Sequence, residues 1–311
     1  MKGMHMRYFL LVFFLFTVPI FPASAKLALL LNAPNVAELP SHFRSTDHLA
    51  SVRFPKGVSL EGLGTLNVSG SGQFSEKQWE VMRQSLPQDM IVIDLRQESH
   101  GFVNGIAVSW YGFHDWANRF DTNEQAAEAE KVHLEDLKMF SKVDIEQFKL
   151  ITKEQKINKD AFKLWKQVDV KSVKSEKEVV ENSHTQYLRL YLTDHLPPAP
   201  ADIDRFLELW KTLPAGAWMH FHCLGGVGRT TTFMIFTDIL KNGRKVSLKD
   251  IIARQVALGS VNFNKTPQDP YKDPFFFKRL KVMEAFYQYV NTTPNLDVKW
   301  SDWIKKHPLM E

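Results

Sequence analysis

One cysteine among 311 residues rules out an internal disulfide and any metal knuckle built on paired cysteines. A strong charge of either sign is also missing, since 39 Lys and Arg face 35 Asp and Glu. With no long basic run either, nucleic acid is excluded as a polyelectrolyte partner, and functional positive charge has to be gathered in a pocket. No apolar stretch reaches the roughly 20 residues that a membrane span requires. The longest, Tyr8 to Phe21, follows Lys2 and Arg7 and leads into Ala23-Ser24-Ala25, the small-x-small form of a cleavage site. Residues 1–25 are therefore expected to be a secretory signal peptide, with a short membrane anchor as the alternative, leaving a secreted or periplasmic chain with no stable membrane span once the signal is removed. Its loss removes Lys2 and Arg7 and no acid, so the remainder stays close to neutral. That remainder suits one large domain, residues 26–311, with a small inserted subdomain over about 142–180.

Exported proteins usually spend cysteines on disulfides, and a lone thiol in an oxidising compartment is a hazard unless it is used. Cys223 sits in His222-Cys223-Leu224-Gly225-Gly226-Val227-Gly228-Arg229-Thr230. Before this stretch, Ala217 to Phe221 reads as a buried strand; after it, Thr231 to Leu240 reads as a helix capped at Asn242-Gly243. A Gly-rich turn between a strand and a helix N-terminus converges backbone N–H groups into an anion site. There the helix terminus and a guanidinium favour the thiolate, the form that attacks phosphorus. Arg229 is suited to fork two phosphate oxygens. A structural cysteine beside a Gly-rich turn is the plainer reading, but Cys-x5-Arg-Thr at such a turn is far more constrained than a lone glycine pattern.

The flanking chain is consistent with an α/β fold. Residues 26–49 carry little periodicity, with Pro40 to Arg44 reading as an extended arm. Ser51 to Ser71 reads as short strands and turns. Ser75 and Gln78 form a capping box for a helix ending at Pro87, with Phe74 and Trp79 in staple positions. Met90 to Ile93 reads as a buried parallel strand leading into Asp94-Leu95-Arg96. Gly101 to Asn118 is rich in aromatics, and Asn123 to Phe140 has helical spacing. Gln186 to Leu192 alternates as a strand that delivers Thr193-Asp194-His195, and Asp202 to Leu213 is amphipathic. Ser247 to Leu258 and Pro274 to Asn291 read as further helices, and Trp300, Trp303 and Ile304 as packing residues. Strands alternating with helices imply a mostly parallel sheet whose ligands bind beyond the strands' carboxyl ends. The cysteine loop and Asp194 both lie at that edge.

Asp194 is the candidate general acid: neutral when it protonates the leaving alkoxide, charged when it takes a proton from the hydrolytic water. Thr230 is placed to donate its hydroxyl to the sulfur. From ordinary values of about 3.9 for the acid and 8.5 for the thiol, with the thiol lowered by its loop, an optimum near roughly pH 5 is expected. The thiolate route needs no metal or cofactor, and none is expected. His220 and His222 share a strand face but lack accompanying ligands, so His222 is read as ordering the loop through its ring.

These residues carry a resemblance. The His-Cys-x5-Arg-Thr loop with a separate Asp is similar to the protein tyrosine phosphatase superfamily. Five stretches resemble the cysteine phytases, phosphatase-fold enzymes acting on inositol polyphosphates: Ile93 to Gly101, Ser109 to Gly112, Asp115 to Asn118, Thr193 to His195 and His220 to Cys223. The resemblance runs from about Pro40 to His307 and is weakest over 142–180. It implies a central, mostly parallel twisted sheet flanked by helices, with a small partial β-barrel insertion. It also implies a basic pocket for a polyphosphorylated ring and stepwise, metal-independent removal of phosphates from phytate through a phosphocysteine. Carried over by position, Cys223 is the nucleophile, Arg229 the phosphate clamp and Asp194 the acid. Arg44, Asp115, His195, Lys272 and Arg279 then line the substrate pocket, Arg279 standing where a lysine is usual. Lys159 stands in for part of a His-Lys pair, and Leu224 replaces a polar or charged residue. Other readings of the same loop are a phosphoinositide or phosphotyrosine phosphatase delivered as a secreted effector, a phosphate-binding module without catalysis, and a sulfurtransferase. The preferred inositol phosphate and the oligomeric state are not encoded in any motif.

Overall fold

The computed structural model describes residues 28–112, 117–148, 162–265, 268 and 272–309. The expected leader and the expected pocket residues Asp115 and Lys159 lie outside the described residues. In chain order the strands are β1 (Ala28–Ala33), β2 (Arg44–Ser45), β3 (Val68–Ser71), β4 (Ile91–Asp94), β5 (His100–Val103), β6 (Ile106–Tyr111), β7 (Lys142–Phe148), β8 (Phe162–Asp169), β9 (Val173–Lys174), β10 (Gln186–Arg189) and β11 (Met219–His222). The helices are α1 (Glu76–Ser85), α2 (Asn123–Lys138), α3 (Glu176–Glu181), α4 (Pro200–Thr212), α5 (Gly228–Asn242), α6 (Leu248–Ala257), α7 (Asp273–Thr292) and α8 (Trp300–Lys306).

The central sheet has the order β10-β4-β11-β3-β2. Every pairing in it is parallel except that of the short edge strand β2 with β3. Ile91, Val92 and Ile93 are buried on both faces, as a parallel strand between helical layers demands. One face packs against α4 to α8 through Phe206, Phe221, Phe233, Phe236 and Phe286, joined by Trp300 and Trp303 from the tail. The other face meets α1 and α3 through Phe74, Trp79, Met82 and Val180. Each such buried side chain contributes roughly 1.5–3 kcal/mol of transfer free energy.

A second sheet, ordered β8-β7-β1-β6-β5-β9, stands beside the first. It is open: no pairing joins β8 to β9 among the described residues. Its centre is β1, from a region with little sequence periodicity beyond Leu27 to Leu31, paired antiparallel with β6. The first part of the aromatic-rich stretch, up to Tyr111, folds as the β5–β6 hairpin, turning at Asn104-Gly105, both of positive φ. The α1 box forms as the sequence predicts, Ser75 accepting from the Gln78 N–H and Gln78 from the Ser75 N–H. Thr122 with Gln125 and Ser175 with Glu178 do the same for α2 and α3. The end of α5 is reached differently from a left-handed glycine cap: Gly243 stays right-handed (φ −62°), and a Cβ there would come 2.6 Å from the Ile239 carbonyl.

Candidate active site

The cysteine loop joins β11 to α5. Its path is set by glycine, for Gly226 adopts φ +69°, and a Cβ on it would fall 2.3 Å from Gly72 N and 2.8 Å from Ser71 O. The end of β3 therefore packs directly beneath the loop, and Gln73 N donates to Leu224 O at 2.9 Å. Cys223 is buried, and Thr230 Oγ1 donates to its Sγ at 3.2 Å. That contact fits the expected role of easing the sulfur's departure.

Arg229, 1% exposed, is fixed from behind. Nη1 donates to Glu98 Oε2 at 2.7 Å and Nη2 to Glu98 Oε1 at 2.8 Å, a two-pronged pair, while Nη1 also reaches the Leu192 carbonyl at 2.9 Å. Burial alone would weaken the cation, but Asp194 and Glu98 hold it charged far above the ordinary range. Glu98 also accepts from Arg96 Nε at 2.8 Å. Burial opposes its charge, yet the two arginines keep its carboxyl well below the usual carboxylate range. Glu98 was legible only as part of a family stretch; nothing in its spacing announces that it holds Arg229.

Asp194 reaches the site from the segment after β10. Its Oδ1 lies 3.0 Å from Arg229 Nη2 and its Oδ2 lies 3.2 Å from His195 Nε2. His195 adopts φ +61°, an uncommon backbone state for a residue with a side chain. Burial, then the neighbouring cations Lys272, Arg229 and Arg279, lower its pKa against the pull of Asp194. A cavity of about 430 Å³ opens over the loop, lined by Asp194, His195, Cys223, Leu224, Gly225, Val227, Gly228, Val261, Lys265, Lys272, Phe275, Phe276 and Arg279. Arg279 donates from Nη1 to Thr232 Oγ1 at 3.0 Å, and its guanidinium lies 3.6 Å from where a Cβ on Gly228 would be. Burial pulls its pKa down to about 10. Lys265, not singled out in the sequence, also joins the cavity.

One expected pocket residue is placed elsewhere. Arg44 is 4% exposed and lies behind the loop, all but one of its donors used: Nε to Ser260 Oγ (2.9 Å), Nη1 to His42 O and Gly226 O (both 2.9 Å), and Nη2 to Thr231 Oγ1 (3.1 Å). Its pairing on β2, opposite Gly70 of β3, turns the side chain under the loop rather than into the cavity. His222 is also buried. Its Nε2 lies 2.6 Å from Glu176 Oε1, and its ring is tilted against Phe74 at 5.1 Å. His220 instead meets Ser69 and Ser71, at 2.9 and 3.1 Å.

Asp94, His100 and Glu176 bring three possible metal-ligating atoms within 4.8 Å of one another. Three of the four carboxylate oxygens already accept hydrogen bonds: Arg96 N and Tyr187 each donate at 2.8 Å, to Asp94 Oδ1 and Oδ2 respectively, Arg189 lies 3.0 Å from Oδ2, and Gln73 donates to Glu176 Oε2. The group is a buried ion-pair network supporting β4 and β11 from below. Burial and Arg96 work against a charged His100, but Asp94 and Glu130 outweigh them and push its pKa up to about 9. Burial likewise opposes a charged Glu176, and His222 and His100 hold it down at about 2.

A cysteine-bearing loop between a parallel strand and a helix, closed by an oriented arginine and faced by an aspartate from the segment after β10, defines a cysteine-phosphatase fold. The family model for PTP-like phytases, described as inositol hexakisphosphate, matches residues 93–241. A PTP-like phytase from Bdellovibrio bacteriovorus is 30% identical, the match covering 90% of this chain and 95% of that one with a TM-score of 0.69. A PTP-like myo-inositol phosphatase from Mitsuokella multacida, solved with myo-inositol-(1,3,4,5)-tetrakisphosphate, is 35% identical over 94% of this chain and 49% of that one, with a TM-score of 0.82. Effector protein hopD2 of Pseudomonas syringae pv. tomato is 34% identical over 86% of this chain and 57% of its own length. This chain belongs to the PTP-like phytase family. It spans about half the length of the Mitsuokella protein and somewhat more of the effector. No helix among the described residues is long and apolar enough to cross a membrane.

Proposed function

We propose that the chain is a metal-independent phosphomonoesterase that removes phosphates stepwise from myo-inositol hexakisphosphate and lower inositol phosphates. The observation that carries this reading is the buried Cys223 at the base of a cavity ringed by Lys265, Lys272, Arg279 and His195, with Asp194 facing it. Several cations around one cavity suit a ring bearing several phosphates, because each phosphate needs its own charge partner. In the first step the Cys223 thiolate attacks phosphorus, a P–S bond forms, and the P–O bond to the ring breaks. Asp194 gives its proton to the departing oxygen. In the second step Asp194 takes a proton from water as that water attacks phosphorus. The P–S bond then breaks, and Thr230 stabilises the leaving thiolate. Loop N–H groups and Arg229 hold the equatorial oxygens through both steps.

The test is phosphate release from hexakisphosphate at mildly acidic pH. It is expected to persist with a chelator and to vanish in Cys223→Ser, and chelator-sensitive turnover or an active Cys223→Ser would sink the reading. A second reading rests on Leu224, Val261, Phe275 and Phe276, which give one wall of the cavity an apolar character: a phosphotyrosyl peptide or phosphoinositide in place of the free inositol phosphate. Comparing kcat/KM on the three substrates decides between them. Residues 1–25 are read as an export signal and 142–180 as an insertion; mass determination of the exported chain tests the former.

A further inference from the structure

Arg44 joins four separate segments beneath the phosphate loop. Its guanidinium meets the His42 carbonyl of its own arm, the Gly226 carbonyl, Thr231 in the first turn of α5, and Ser260 after α6. Thr231 Oγ1 in turn accepts from Val261 N at 3.3 Å, so one arginine ties the loop to the segment that forms a cavity wall. We infer that Arg44 is a positioning residue of the phosphate loop, one that anchors the Gly226 peptide so that the next N–H faces the bound oxyanion.

The argument is geometric. A trans peptide points its C=O and N–H in opposite directions. With the Gly226 carbonyl held by Nη1 from below, the Val227 N–H turns to the opposite side, that of the cavity lined by Gly225, Val227 and Gly228. The positive φ of Gly226 leaves this peptide without the stiffening that a side chain gives. Anchoring therefore has to come from outside the loop. A planar fork supplies it in three directions at once, which an ammonium on a flexible stem does not. Arg44 also interacts with the Cys223 charge, which raises its pKa against the larger effect of burial, leaving it at about 10. The guanidinium thus adds positive potential behind the sulfur without occupying the substrate's space.

This inference rests on the loop being the phosphate site of the proposed function, and the test separates the two. Arg44→Lys and Arg44→Ala are assayed on p-nitrophenyl phosphate, on hexakisphosphate, and for competitive inhibition by inorganic phosphate. Loss of a preorganised oxyanion donor predicts a ~10²-fold lower kcat on p-nitrophenyl phosphate for both variants. Inorganic phosphate should bind ~10-fold more weakly, the scale of one hydrogen bond to a charged group. Added guanidinium should restore part of the activity of Arg44→Ala, which repair of a merely destabilised fold would not do. Thr231→Val and Ser260→Ala, each removing a single acceptor, should show smaller losses of the same kind and keep the question open to measurement if the Arg44 variants fail to fold. Unchanged kcat and phosphate affinity in Arg44→Lys would overturn the inference. So would a loss confined to hexakisphosphate, which would make Arg44 a direct ligand of a remote phosphate. A parent protein silent on hexakisphosphate but showing the expected Arg44 losses on the monoester would sink the substrate assignment and support the positioning role.

Discussion

Asp194 Oδ1 rests 3.0 Å from Nη2 of Arg229, the same nitrogen that Glu98 holds from behind at 2.8 Å. The carboxylate proposed as the acid thus stands on the guanidinium proposed to hold phosphate. An incoming phosphate competes with it for the arginine.

Asp194→Asn should therefore separate binding from chemistry. Turnover of alkyl phosphates is expected to fall ~10²–10⁴-fold, the usual contribution of a positioned acid, while inorganic phosphate binds severalfold more tightly. Titration calorimetry beside steady-state kinetics reads both. Weaker phosphate binding in the variant would show that the carboxylate does not compete for Arg229.

Glu98→Gln leaves Arg229 with a neutral partner in a buried site. Removing one member of a buried, hydrogen-bonded ion pair typically costs ~3–5 kcal/mol, and Arg96 loses its acceptor charge as well. A lower denaturation midpoint is expected together with a loss in kcat that persists well below the melting transition. Full activity at low temperature would confine Glu98 to stability.

Gly225 and Gly226 are adjacent but differ in what alanine would meet. At Gly225 the nearest neighbour of a new Cβ is Val227 Cγ2 at 3.9 Å, ordinary contact; at Gly226 the backbone of Ser71 and Gly72 lies within 2.8 Å and φ is positive. Gly225→Ala should fold with a near-parental melting temperature. Gly226→Ala should lose ~2 kcal/mol or more of stability and nearly all turnover. Equal tolerance at the two sites would contradict the loop's packing on β3.

The pH dependence of stability follows from the buried network. His100 is charged in the folded protein up to about pH 9 but only to 6.5 by its ordinary value. Its contribution is whole below 6.5 and is lost as pH rises through 9. Glu176 is charged down to about pH 2 against an ordinary 4.5, so its contribution is whole above 4.5 and is lost as pH falls toward 2. Denaturant midpoints should thus be highest between roughly pH 4.5 and 6.5. A His100→Gln variant should flatten the alkaline limb, and an unchanged alkaline limb would mean that another group sets it.

The loop, the strand before it, the helix after it and Asp194 were legible because their signals are local: a fixed Cys-to-Arg spacing, an apolar run and a proline stop. The capping box at Ser75 was readable for the same reason. What escaped was set by contacts between distant segments. β1 carries few alternating residues, and its place in a sheet comes from pairing with β6, far along the chain. Glu98 and Glu176 look like any surface glutamates until folding brings Arg229 to one and His222 to the other. Arg44 reads as a free basic residue on an arm, and only the antiparallel pairing of β2 with β3 shows that it faces inward.

Glu176 is the first residue of α3, in the segment that follows the outlying hairpin β7–β8. Its carboxylate is the counter-ion that β11 leans on just before the nucleophile. A shortened chain carrying only the parallel sheet and its large helices would keep Cys223, Asp194 and Arg229 and yet strand His222 in a dry interior short of negative charge. Short as it is, α3 is thus part of the cysteine loop's foundation, and a minimal version trimmed from this scaffold has to carry that acid with it or replace the imidazole.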